Sequence, residues 1–301
     1  MADLPSAIVK MNDIEIAGDA PTTEAVMKKF GSNINALIDR KVTVDEITAS
    51  GTWDVPNVNP DWVWLLGCGG GGGGGGGGNT GARGNGGGGG SGSQPMLIAV
   101  DISAEAALAS LTVTIGAGGG GAGGFGTGAN GGDTTLVGLS TYATFKGGIG
   151  GSHSNNTISP SVHYGVTQLG INSAVVGDPG YTIGFGKGNY MGEVINGQIL
   201  PSGGGSGETL AGAVQNGYAG ENSIYASGGA GGALSGAFCG GGGGGAGLGA
   251  GGVGGSGVFN AVGGTGGIGA GGGGNGGDSG GVFAGAGGPG YLAVIYFDVS
   301  V

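Results

Sequence analysis

Gly249-Ala250-Gly251-Gly252-Val253-Gly254-Gly255-Ser256-Gly257 sets the reading of this chain, because Ala250, Val253 and Ser256 are separated by glycine pairs. The same step of three recurs at Thr265 and Ile268 and at Ala122 and Phe125. Three residues per turn is the period of the polyproline II helix, which rises about 3.1 Å per residue and has no internal hydrogen bonds. On such a helix the non-glycine residues line one edge and the other two carry only hydrogen. If buried, its N–H and C=O groups have to pair with neighbouring chains. Backbones come close enough for that only where no Cβ intervenes, and proline would remove the donor. The glycine blocks at 67–78, 84–92, 116–124, 240–245 and much of 249–290 are therefore expected to form a bundle of polyglycine II helices, hydrogen-bonded side by side.

Composition narrows the alternatives. Of 301 residues 89 are glycine and only 9 are proline, and charged residues make up 9%. Collagen is excluded, since glycine does not fall at every third position throughout and proline is scarce. No apolar run reaches the roughly 20 residues of a membrane-spanning helix, so membrane insertion is not expected. The net charge of −11 makes nucleic acid a poor partner. Two cysteines cannot build a disulfide framework. Met1 to Asn12 lacks the basic flank and continuous apolar stretch of a secretory signal. A hydrophobic content of 38% opposes a wholly disordered chain.

The composition changes near residue 51. Residues 1–50 hold two glycines, Gly18 and Gly31, and most of the charge is concentrated towards this end. The expected organisation is an N-terminal attachment or oligomerisation module over 1–50 and a glycine-rich domain over 51–301. Pro21-Thr22-Thr23-Glu24 is a helix start signal, with a Thr cap and an acid in the first turn. It predicts a helix over about 22–40, on which Met27, Phe30, Ile34 and Leu37 form a narrow apolar seam. That seam either packs on its own domain or serves oligomerisation or docking.

Strands are expected at Gly51 to Pro56, Trp62 to Leu66, Met96 to Ile102, Leu111 to Ile115, Leu136 to Phe145 in two parts, and Tyr291 to Phe297, from their β-branched and aromatic content. The expected fold class is thus mostly β and irregular. It has a short N-terminal helix, β-strands at the base, packed polyglycine II helices and long loops.

Residues 152–202 and 208–227 interrupt the glycine pattern. They carry His153, Asn155, Asn156, His163, Tyr164, Tyr181, Phe185, Tyr190, Met191, Tyr218, Asn222 and Tyr225, with little charge. Tyr, Asn, Ser and Gly are the residues of adaptable binding loops, and long loops on a rigid scaffold usually carry function. These twelve are the candidate binding residues. Shorter interruptions carry Phe238, Phe259 and Phe283, and the turns at 79–83 and 125–130 are an alternative binding surface.

Motifs for catalysis are weak. Gly277-Asp278-Ser279-Gly280-Gly281 matches a serine-protease nucleophile string, but it lies among glycine repeats where such a string arises easily, and the two histidines lie in an unrelated loop. Gly273 to Asp278 matches the start of a calcium-binding nonapeptide but is not tandem. His153, His163, Cys68 and Cys239 lack zinc-ligand spacing. No enzymatic activity, cofactor or metal is expected.

Ala49-Ser50-Gly51-Thr52-Trp53-Asp54-Val55-Pro56, followed by a strand, Gly67-Cys68 and polyglycine, resembles glycine-rich phage tail proteins. Leu111 to Gly119 and Gly290 to Tyr296 fit the same pattern, so the resemblance covers roughly 48–301. Met11 to Ile16 with the helix after it is similar to the start of phage tail-fibre proteins. The alternation of glycine blocks and loops is similar to tail-fibre-tip adhesins of T-even-like phages. The resemblance implies a virion protein at the distal tail or fibre tip that binds a bacterial surface receptor, an outer-membrane protein or a glycan, through loops. It also implies other phage tail proteins as partners and a homotrimer. A purely structural virion fibre or adaptor protein is the alternative.

Overall fold

A computed structural model describes residues 41–56, 62–79, 84–93, 95–103, 110–124, 126–139, 141–151, 203, 216–258, 261–277 and 283–298. Ten strands are formed among them. One sheet consists of β1 (Lys41–Ile47), β10 (Tyr291–Asp298), β3 (Trp62–Cys68) and β6 (Met96–Asp101), in that spatial order. A second consists of β2 (Gly51–Asp54), β7 (Ser110–Thr114), β8 (Thr134–Val137) and β9 (Thr141–Phe145). All pairings are antiparallel. The two-residue strands β4 (Gly78–Asn79) and β5 (Gly84–Asn85) pair separately.

The two sheets share one apolar core. Alternate residues of β3 and β10, among them Val63, Leu65, Leu292 and Val294, meet Leu111, Val113, Leu136 and Phe145 of the second sheet, and all are buried. Side chains alternate between faces along a strand, so these strands bury one row each. Trp53 of β2 crosses to the first sheet. Its ring packs edge-on against Tyr296 at 6.1 Å between centroids, and its Nε1–H donates to Asp45 Oδ2 at 2.8 Å.

The expected fold class is corrected by this arrangement. Among the described residues there is no helix; the helix expected over 22–40 lies outside them. The first described element is β1, a strand that the sequence reading did not anticipate. Val42, Thr43, Val44 and Ile47 are β-branched, which favours a pleated backbone, and all seven residues of β1 pair with β10. The strands are also not a single base layer but two facing four-stranded antiparallel sheets. The fold is mostly β and irregular, and β1, from the expected N-terminal module, shares a sheet with the C-terminal strand.

Beyond the sheets the glycine segments run side by side, and backbone hydrogen bonds recur in steps of three. Segment 69–77, which continues β3, is the centre. Gly70, Gly73 and Gly76 donate to Gly132, Ala129 and Gly126. Gly71 and Gly74 donate to Gly288 and Gly285, and Gly72 and Gly75 donate to Ser91 and Gly88. Its carbonyls accept in the same rhythm from three further segments: Gly71 and Gly74 from Gly119 and Ala122, Gly70 and Gly73 from Gly148 and Gly151, and Gly72 from Gly272. One segment is thus bonded to six others, and each three-residue turn sends out three donors and three acceptors. Segment 270–277 makes a second centre, donating to Gly245, Gly242, Gly72 and Gly264 and accepting from Gly252, Gly255, Gly285 and Gly90.

Glycine is required at these centres for a steric reason. A Cβ on Gly71 would fall on the carbonyl oxygen of Ala270, and one on Gly72 on that of Ile149. The few polar side chains within the lattice complete its bonding. Ser91 Oγ accepts from Ile149 N–H at 2.8 Å, and Asn275 Oδ1 accepts the N–H of Gly77. Ser91, Ser93 and Asn275 are all buried.

Candidate functional site

The strand connections give the lattice two unlike ends. Segments 69–77, 116–124 and 146–151 continue from β3, β7 and β9 and run away from the sheets. Segments 86–93, 126–133 and 283–290 return to β6, β8 and β10. The sheets stand at one end, where the chain also turns at 223–226 and at Gly269 (φ 68°). The other end lies roughly 25 Å away, for eight residues at about 3.1 Å each, and carries further turns.

Several tips gather at this distal end. The β4–β5 pair closes one of them. Gly124 (φ 51°) turns the chain after 116–123, and Gly123 bridges to Phe283 at the start of the last returning segment. Ser235 and Phe238 exchange two backbone hydrogen bonds of 3.0 Å around Gly236 (φ 57°), a backbone angle that glycine adopts without a steric penalty. Leu234 N–H donates to Asn216 Oδ1 at 2.8 Å, which ties this turn to the neighbouring segment. Phe283 is 65% exposed, and Val258, Val262 and Leu234 are exposed on other segments of the lattice. Segment 146–151 heads towards the same end, where the chain enters 152–202.

Of the candidate binding residues, His153, Asn155, Asn156, His163, Tyr164, Tyr181, Phe185, Tyr190 and Met191 lie outside the described residues, as do Met27, Phe30, Ile34 and Leu37. Tyr218, Asn222 and Tyr225 are described, and they are not brought together. Gly217 donates to Gly232, Gly220 donates to Gly229, and Gly243 donates to Tyr218. These bonds set Tyr218, half-buried, towards the distal tips. The segment then runs back towards the sheets. Asn222 Oδ1 accepts from Gly228 N–H at 2.8 Å. Ser223 Oγ accepts from the N–H groups of Tyr225 and Ala226 and donates to Gly247 O at 2.6 Å. Gly247 stands beside Gly269, which in turn abuts Cys68 at the end of β3. The exposed Ile224 and Tyr225 are consequently presented at the sheet end, away from Tyr218.

The signal that would have found the distal residues is the set of short breaks in the glycine phase. Phe238 and Phe283 were visible there as interruptions, but the long loops drew the candidate list. The described tip side chains offer apolar area and neutral hydrogen-bonding groups. Among the described residues no cluster of three His, Cys, Asp or Glu side chains is placed to hold a metal ion, and no helix is long and apolar enough to cross a membrane. Both cysteines are buried free thiols. Burial pushes the Cys68 thiol up to about 12, against the lowering effect of backbone hydrogen bonds at Leu248 and Tyr291.

A family model described as a glycine-rich domain matches residues 47–297, which take in the second sheet, three of the four strands of the first and the whole described lattice, and the chain belongs to this family. No curated protein matches the chain.

Proposed function

We propose that this chain is a receptor-binding protein of a phage tail or tail-fibre tip, which holds a bacterial surface receptor by the loops and turns at the distal end of its glycine lattice. The observation that supports this reading most is the division of the molecule into two ends. The two sheets stand at one end, and at the other there are only sequence-distant tips, among the described residues, carried by backbones bonded on as many as six sides. Such a lattice holds short loops in fixed positions, and preorganised loops lose little entropy on binding. The resemblance of 49–56, 67–78, 111–119 and 290–296 to glycine-rich tail proteins supplies the biological setting.

Recognition in this reading is by shape and apolar contact with neutral polar groups. The exposed Phe283 is the anchor on the described part of the tip, and 152–202 supply the aromatic and Asn side chains. An anchor aromatic contributes about 2 kcal/mol or more, so Phe283→Ala weakens cell binding roughly 30-fold, whereas Tyr225→Ala at the opposite end leaves it unchanged. The test is binding of the full chain to bacterial cells lacking individual surface proteins or glycans. Loss of binding on one such strain supports the reading. Absence of binding to every strain, with the fold intact, favours a purely structural virion protein.

A further inference from the structure

The outer face of the first sheet carries a row of exposed apolar side chains, with Glu46 and Asp101 at its margins. Val42 and Val44 of β1 are each 51% exposed, Trp62 and Trp64 of β3 are 59% and 41% exposed, and Leu97 of β6 is 60% exposed. They lie on one surface by register: Val44 opposes Ile295, Ile295 opposes Trp64, and Trp64 opposes Ala99. Phe297 packs edge-on against Trp64 at 5.3 Å between ring centroids, which joins the row across β10 and β3. A four-stranded face with strands about 4.8 Å apart and about seven residues long covers on the order of 400 Å². That is the size of the largest apolar patch on a typical single chain, which is often an interaction site.

We propose that residues 22–40 of the same chain cover this face, with Met27, Phe30, Ile34 and Leu37 as the contacting side chains. Three observations select this occupant. The chain preceding the described part ends at β1, an edge strand of this sheet, so the segment is tethered to the face that it would cover. Leu37 is five residues from Val42, at most roughly 18 Å of extended chain, which matches the width of the sheet. The face is also about half the roughly 800 Å² per partner of a stable interface between separate molecules. A tethered segment needs less area, because linkage raises its effective concentration into the millimolar range. The proposal does not depend on the receptor-binding reading, and failure of either leaves the other standing.

Tryptophan fluorescence of the full chain tests it directly. The three tryptophans are Trp53, Trp62 and Trp64; Trp53 is buried in the core, and the other two stand on the outer face. Acrylamide should quench the intact chain weakly. The variant F30D/I34D should be quenched severalfold more strongly and should bind an apolar dye, while the near-ultraviolet dichroism of the Trp53–Tyr296 pair stays in place as proof of folding. Strong quenching already in the intact chain overturns the proposal, as does weak quenching that F30D/I34D does not change. Protection that disappears on dilution, with light scattering showing an oligomer, overturns it in favour of a second copy of the chain.

Discussion

The N–H of Gly69 donates to Ser93 Oγ at 2.8 Å, although the two residues are 24 positions apart. The same hydroxyl donates to Lys146 O at 2.7 Å, so one side chain ties together three segments where the lattice meets the sheets. Ser93 is 2% exposed, and water does not replace it. Ser93→Ala leaves the buried N–H of Gly69 and the part-buried carbonyl of Lys146 each short of a partner. The expected loss is about 1–3 kcal/mol, read as a lower denaturation midpoint without a change in the slope of the transition.

Gly71 and Gly120 separate the steric role of glycine from its composition. A Cβ at Gly71 meets the Ala270 carbonyl, and one at Gly120 meets nothing within 4 Å. Gly71→Ala should destabilise at or beyond the upper end of the roughly 1–3 kcal/mol typical of overpacking, because two hydrogen-bonded backbones have to part. Gly120→Ala should be neutral or stabilising by up to about 1 kcal/mol, through the unfolded chain. Thermal melting of the two variants decides it.

The Cys68 thiol has a pH signature. Its folded value of about 12 lies well above that of an exposed thiol, and burial is the main cause. Below pH 9 the thiol is protonated in both states and contributes nothing to pH dependence. From 9 to 12 the unfolded chain loses this proton first, so stability falls by at most about 1.4 kcal/mol per pH unit from this group. Cys68→Ala should flatten that limb of the stability profile. At pH 8 a disulfide reagent should modify Cys68 in denaturant and not in the native protein.

Lys146 Nζ meets Asp133 Oδ2 at 2.6 Å, with both side chains more than a third exposed. Asp133 Oδ1 also accepts from Gly147 N–H at 3.0 Å. Removing the cation alone should therefore matter less than removing the carboxylate. Lys146→Met is expected to cost less than about 1 kcal/mol, as for exposed pairs. Asp133→Ala should cost more, by the value of the lost charge-assisted bond, and added salt should narrow only the Lys146 effect. Chemical denaturation in urea at two salt concentrations checks both.

Much of the sheet framework was legible in the residues. Trp62 to Leu66 and Tyr291 to Phe297 are runs of aromatic and β-branched residues, and that content marks a strand without knowledge of its partner. β1 escaped because Lys41-Val42-Thr43-Val44 directly follows a seam expected to be helical, and its pairing with β10 spans nearly the whole chain. The step of three in Ala250, Val253 and Ser256 was equally plain. Which segments lie side by side was not, because the contacts are between backbones and one glycine is chemically the same as the next. Tyr218 and Tyr225, seven residues apart, were both named as binding candidates; the segment between them runs towards the sheets, so Tyr225 lies at the sheet end and Tyr218 further along the lattice. The buried Ser91, Ser93 and Asn275 stood out as lone polar residues within glycine blocks, and that was the unused sign of a bonding role.

The bonding rhythm of segment 69–77 also limits how its length can change. Adding one residue rotates everything beyond it by about a third of a turn, so that each donor faces the wrong neighbour. Adding three inserts a whole turn, moves the tip outward by about 9 Å and leaves every later donor facing its former neighbour. Lattice segments of this kind accept insertions and deletions only in multiples of three, whereas the tips between them accept any number. Aligned relatives should therefore show length differences in threes within the glycine blocks and in no fixed unit at the tips, a triplet rule written in amino acids instead of nucleotides.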